Sequence, residues 1–106
     1  MNKKSGVYLI TNKTNNKKYV GATVNFAARW SMHLFDLKRG KHANKHLQKA
    51  WSEHGQDSFI FSVLEECDKN LLLERERYYI QTLKPEYNFK TRLFMTPYEL
   101  SIWSKL

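Results

Sequence analysis

The chain is short of cysteine, of long apolar runs and, over its first half, of acid. A lone cysteine, Cys67, cannot close an internal disulfide, so a reducing cytosol is the expected compartment. No apolar run approaches the ~18 residues that span a bilayer, and the basic start MNKKSG lacks the apolar stretch of a secretory signal. No repeat, low-complexity segment or linker interrupts the 106 residues, so one compact domain is expected. Nor is the chain poor in core material: 42% hydrophobic and 14% aromatic residues exclude the composition of a disordered segment. Residues 1–49 carry Asp36 as their single acid against 11 Lys and Arg, whereas residues 50–106 carry 9 acids against 7, giving halves of +10 and −2. A basic surface gathered in this way suits phosphate, because each Lys or Arg contact releases condensed counterions. An acidic membrane ranks lower as a partner, since no basic amphipathic helix stands out at the termini.

What is present reads as an α+β domain in the order β-β-α-α-β-α. Residues 5–12 and 17–22 are two strands around the Asn-rich turn 13–16, a hairpin. A helix is expected over 25–39, with Phe26, Trp30, Leu34 and Leu37 on its apolar stripe and Gly40 as its stop. A second runs over 44–54, burying Leu47, Ala50 and Trp51 and ending at Gly55. SFIFSVLE, residues 58–65, is the third strand. Residues 69–83 form a third helix, ended by Pro85. Thr96-Pro97-Tyr98-Glu99 is a capping box with Pro at the first helical position, so a short final helix is expected. The small antiparallel sheet must then bury its apolar face against helices.

Several residues strain a purely structural account. Leu72, Glu76, Tyr79 and Leu83 share one stripe of the third helix, which puts a carboxylate in line with apolar neighbours. A shielded carboxylate needs a cation or a metal, so Glu76 is a candidate metal ligand; the alternative is an edge-of-stripe Glu paired with Lys or Arg. Arg29 and His33, four apart on the first helix, form a cationic pair that an anion such as phosphate would relieve; the alternative is a solvated basic face. In the hairpin, pairing Ile10 with Tyr19 makes Tyr8 and Tyr19 diagonal neighbours and sets Gly21 opposite Tyr8, leaving space beside the phenol. Taken singly, each tyrosine is an ordinary strand aromatic. His42 and His46 have the i, i+4 spacing of a metal pair, but no Cys or acid completes a site, so they read as a polar loop and helix start. The tryptophans read as core.

In order, Gly6-Val7-Tyr8, Tyr19-Val20-Gly21, Arg29 and His33 in NFAARWSMH, His42, His54-Gly55, Glu76 in LLERERYYI and Asn88 in EYNF resemble the GIY-YIG nuclease family, each triplet with Val in place of Ile. The likeness runs over residues 5–89 and is strongest to the nuclease module of phage intron-encoded homing endonucleases, through SGVYLITN, FAARW and LLERERYYI. It implies a three-stranded antiparallel sheet with flanking helices, and hydrolysis of DNA phosphodiesters with one divalent metal, Mg²⁺ or Mn²⁺. By the same resemblance Glu76 is the metal ligand and Arg29 stabilises the transition state. Tyr8 and Tyr19 position or deprotonate water, with Arg29, Lys18 or metal-bound water lowering the base's pKa. His33 and Asn88 hold supporting positions in that scheme. Lys17, Lys18, Arg29, His42 and Lys45 are the expected DNA contacts. Duplex DNA is then the partner of a monomeric domain without a small-molecule cofactor, in the cytoplasm of a bacterium or phage-infected host.

On this reading residues 1–90 are the catalytic domain, and 91–106 an extension that either begins a linker toward separate DNA-binding modules or packs back as a helix. Two other functions share the fold: a noncatalytic nucleic-acid-binding module, and a stand-alone structure-specific repair nuclease.

Overall fold

A computed structural model describes residues 4–88 of the chain. The elements are β1 (Gly6–Asn12), β2 (Lys18–Thr23), α1 (Phe26–Arg39), α2 (Lys45–His54), β3 (Phe59–Glu66) and α3 (Leu72–Leu83), with 3-10 turns at Gln56–Ser58, Lys69–Leu71 and Glu86–Asn88. The expected final helix from Thr96 and the extension 91–106 lie outside the described residues.

The sheet is antiparallel in the order β2-β1-β3. Ile10 pairs with Tyr19 and Tyr8 with Gly21, the register under which the two tyrosines share a face; the hairpin pattern alone leaves a one-residue slip open. The register is fixed at the turn, where Asn12 N–H donates to the Lys17 carbonyl at 2.8 Å and Asn16 adopts φ 61, a left-handed conformation that Asn tolerates. Asn12 is fully buried yet fully used. Its Oδ1 accepts from the Thr14 N–H and hydroxyl, and its Nδ2 donates to the Tyr87 hydroxyl.

Alternation then sorts the sheet into two faces. Tyr8 and Ile10 point into a core with Phe26 and Leu37 of α1, Leu47, Ala50 and Trp51 of α2, Phe59 of β3 and Tyr87. Val7 and Val20, both buried, lie on the opposite face, where α3 packs across β1 and β2. Burying these aliphatic and aromatic side chains stabilises the fold by roughly 1.5–3 kcal/mol each. Asparagines start both helices of the first layer. Asn25 Oδ1 accepts from Ala28 N–H, and Asn44 Oδ1 from Leu47 N–H, satisfying donors that a helix start otherwise leaves open.

Two expectations about α3 shift. It starts three residues late, after the 3-10 turn, and the stripe holds only through Tyr79. Leu72, Glu76 and Tyr79 are half-buried but Leu83 is exposed, because Ile80, one turn beyond Glu76, takes the inner position instead.

Both glycines of the hairpin triplets are sites of close approach. A Cβ on Gly6 would lie 2.0 Å from the Glu65 carbonyl oxygen, where β3 crosses β1. A Cβ on Gly21 would lie 2.4 Å from both Cζ and Oη of Tyr8. The space above Gly21 is therefore filled by the Tyr8 ring. It is not left open beside the phenol, as the sequence pattern had suggested.

Candidate active site

Tyr8 enters the site as a buried strand residue, 1% exposed, held in an aromatic box. Its ring meets Phe26 and Trp30 of α1 edge-on and lies 6.4 Å from that of Tyr19. Both phenols are thus on one face, as the register requires. Tyr19, nearer the edge of the sheet, is only half-buried.

The Tyr8 hydroxyl lies 2.6 Å from His33 Nε2, His33 Nδ1 lies 2.7 Å from His42 Nε2, and His42 Nδ1 accepts the backbone N–H of Asn44 at 3.0 Å. The direction of this chain follows from its end. A backbone N–H can only donate, so His42 Nδ1 is bare and its ring proton sits on Nε2. That proton is donated to His33 Nδ1, which leaves the His33 proton on Nε2, donated to the Tyr8 oxygen. Both rings must be neutral for this to hold, and their surroundings keep them so. Burial, the neighbouring His42 and Arg29 bring His33 down to about 4, and burial likewise lowers His42. Arg29 and His33 are therefore not the cationic pair their spacing suggested. His33 is 6% exposed and uncharged at neutral pH, because its two nitrogens are committed inside the protein.

His42 likewise departs from its expected surface role. It too is 6% exposed, and its backbone N–H donates to Gln48 Oε1. Asn44 joins three pieces: it caps α2, orients His42, and donates from Nδ2 to the Tyr87 carbonyl. The spacing of His42 from His33 crosses a loop and follows no helical or strand period, so the sequence carried no signal for their contact.

Glu76 and Arg29 approach from α3 and α1. Burial raises the Glu76 pKa, with Arg29 opposing, and the Glu76 charge in turn helps raise that of both phenols. For Tyr8 burial is the largest cause, followed by Tyr19; for Tyr19 burial leads and Glu76 follows, while Arg29 opposes both. Unassisted, both tyrosines stay protonated. Among the described residues Glu76 has no salt bridge, so the alternative of a Lys or Arg partner finds no support there. Nor do three or more His, Cys, Asp or Glu side chains converge as a metal site among those residues. A half-buried carboxylate with no salt bridge among the described residues still fits an ion that takes one protein ligand and fills its remaining positions with water and phosphate oxygens.

Asn88 acts on the backbone. Its Oδ1 accepts from Val20 N–H and its Nδ2 donates to the Val20 carbonyl, both at 2.8 Å. This closes the outer edge of β2 beside Tyr19, while Glu86 accepts from Lys18 N–H. Lys17 and Lys18 are half-buried at the hairpin end, with Lys18 Nζ donating to the Asn16 carbonyl, and Lys45 and Arg29 are exposed. A separate cavity of about 190 Å³ lies between the hairpin turn and α2, lined by Lys17, His46, Lys49 and His54 among others. Neither Tyr8, Tyr19 nor Glu76 lines it.

Comparison with known proteins finds similar chains elsewhere. The GIY-YIG catalytic domain matches residues 4–88. Intron-associated endonuclease 1 of Enterobacteria phage T4 is 42% identical over 87 residues, covering 80% of this chain and 35% of its own length. Probable intron-encoded endonuclease 1 of Neurospora crassa is 39% identical over 62 residues, covering 58% of this chain. The chain spans only 19% of that fungal protein. A solved structure of the catalytic domain of homing endonuclease I-TevI superposes with a TM-score of 0.72 at 40% identity, covering 77% of this chain and 90% of that one.

Proposed function

The chain belongs to the GIY-YIG family, and from that premise we propose that it hydrolyses DNA phosphodiesters as the catalytic domain of a homing or mobile-element endonuclease. The observation that carries this reading is Glu76, a half-buried carboxylate whose charged form Arg29 favours and whose charge is felt by Tyr8 and Tyr19. The names of the relatives support the activity, and the strong positive charge of residues 1–49 supports duplex DNA as substrate.

Glu76 would hold Mg²⁺ or Mn²⁺, which supplies Lewis-acid charge to the phosphate and the leaving oxygen. Arg29, exposed on α1, presents a permanent positive charge to the nonbridging oxygens, whose charge grows as the phosphorus becomes five-coordinate. The phenols hold the attacking water in line. Tyr8 is fixed for this by the His33 donor, whose proton on the Tyr8 oxygen also favours the phenolate and so offsets part of the cost of burial. Lys17, Lys18 and Lys45 seat the backbone without reading bases.

Incubation with supercoiled plasmid and Mg²⁺ is expected to yield nicked or linear DNA. Glu76→Ala and Arg29→Ala should each reduce the rate by ~10²-fold or more while their circular-dichroism melts stay cooperative. Parental cleavage by both variants would remove the assigned roles. Salt-sensitive binding without cleavage under any divalent metal would favour a noncatalytic module.

A further inference from the structure

The chemistry above makes no use of Glu65, yet an irregularity in the sheet delivers this residue to the third helix. Val7 pairs with Glu65 and Tyr8 with Val63, so Leu64 is an extra residue in β3, a β-bulge. Cross-strand partners share a face. In an unbroken strand Glu65 would follow Val63 onto the face of Tyr8. The bulge transfers it to the face of Val7, against α3, as bulges beside functional sites re-aim side chains.

There it is gripped from two turns of the helix. Arg75 Nε donates to both carboxylate oxygens, at 3.0 and 3.1 Å, and Nη2 lies 2.9 Å from Oε1. The Tyr79 hydroxyl donates to Oε1 at 2.9 Å. The Arg75 guanidinium also stacks over the Tyr78 ring, 4.5 Å from its centroid. Arg75 and Tyr79 lie one turn apart on the same side of α3. Fastening both to a single carboxylate fixes the rotation of the helix about its axis. Among the described residues no side chain of α3 is fully buried, and its N-cap, Leu71, makes no side-chain capping bond, so this pair of bonds adds a directed restraint to the packing of α3 on the sheet. Glu76 follows Arg75 in the chain, so any rotation that releases Arg75 also displaces Glu76 from the phenols and Arg29.

We infer that Glu65 is a positioning residue, whose bonds to Arg75 and Tyr79 hold α3 in the rotation that presents Glu76 to the active site. The inference rests on the reading of Glu76 as the metal-binding carboxylate, and the test separates the two. Binding of Mn²⁺ would be followed by the electron paramagnetic resonance of the free ion, with an uncleavable phosphorothioate duplex present and the duplex alone subtracted. Glu76→Ala should abolish the protein-dependent binding. Glu65→Gln and Glu65→Ala should weaken it by about tenfold, the scale on which residues supporting a metal ligand act. The same variants should raise the Mg²⁺ concentration for half-maximal cleavage by a similar factor, with saturating Mg²⁺ restoring most of the rate and duplex affinity unchanged. Tyr79→Phe should shift both in the same direction by less. The exchanged pair, Glu65→Arg with Arg75→Glu, should recover much of the loss. Mn²⁺ binding that survives Glu76→Ala would overturn the metal reading itself. Binding lost in Glu76→Ala but parental in the Glu65 variants would overturn the positioning role alone. Should Glu65→Ala fail to fold, the near-isosteric Glu65→Gln decides.

Discussion

At the scale of single residues, the histidines differ most between pattern and structure. His33 has the spacing of a surface cation, and Tyr8 and His42 make it a buried neutral link. Its pKa of about 4 lies below the ordinary 6.5, so between these values the unfolded chain binds more protons than the folded one. Stability is therefore fully present above pH 6.5 and is lost as pH falls toward 4. At 1.36 kcal/mol per unit the loss is on the order of 3 kcal/mol. His42, shifted the same way, adds to it. Thermal melts should show Tm falling steeply between pH 6.5 and 5; a flat Tm over that interval would show that His33 is not buried neutral. The tyrosines titrate in the other sense. Burial keeps their protons on, so single-turnover cleavage at saturating metal should rise with pH from neutral into the mildly alkaline range. A rate independent of pH there would argue against a phenol as the group that takes the proton from water.

At the scale of elements, the hairpin explains why both triplets contain glycine. Gly6 admits the bulged β3, and Gly21 admits the Tyr8 ring. Gly21→Ala must displace that ring from its bond to His33, so it should lower stability by about 1–3 kcal/mol, as overpacking does, and reduce cleavage together with it. Urea unfolding measures the first. An unchanged midpoint would mean that the ring moves aside freely. Much of this was legible beforehand. Alternation and the Asn-rich turn place the hairpin, but the pattern alone does not choose between the register that pairs Tyr8 with Gly21 and a one-residue slip, which the structure decides; the stripes of α1 and α2 identified Phe26, Leu37, Leu47 and Trp51 as core. What could not be read depends on contacts between elements. The bulge at Leu64 shifts a face by one residue without any change in composition. The clip from Asn88 to Val20 joins positions 68 residues apart.

At the scale of the whole molecule, the two layers divide the work. The face carrying Tyr8 is sealed by α1 and α2; α1 brings Arg29 and His33, the loop between the two helices brings His42, and α3 supports the opposite face and carries Glu76. The charge asymmetry of the sequence is consistent with this division, since Arg29, Lys17, Lys18 and Lys45 all come from the basic first half. The site then combines a charge that burial disfavours with a fold that holds it in place, the usual tension between stability and activity. Replacing Glu76 by neutral Gln tests that combination most directly, with cleavage of a duplex in Mg²⁺, duplex affinity, and Tm in EDTA measured on the same preparations. The account predicts cleavage lost by ~10²-fold or more, affinity unchanged, and a Tm equal to or above that of the parent, because a disfavoured charge has been removed. Cleavage within a few-fold of the parent, with the fold and affinity intact, would contradict it.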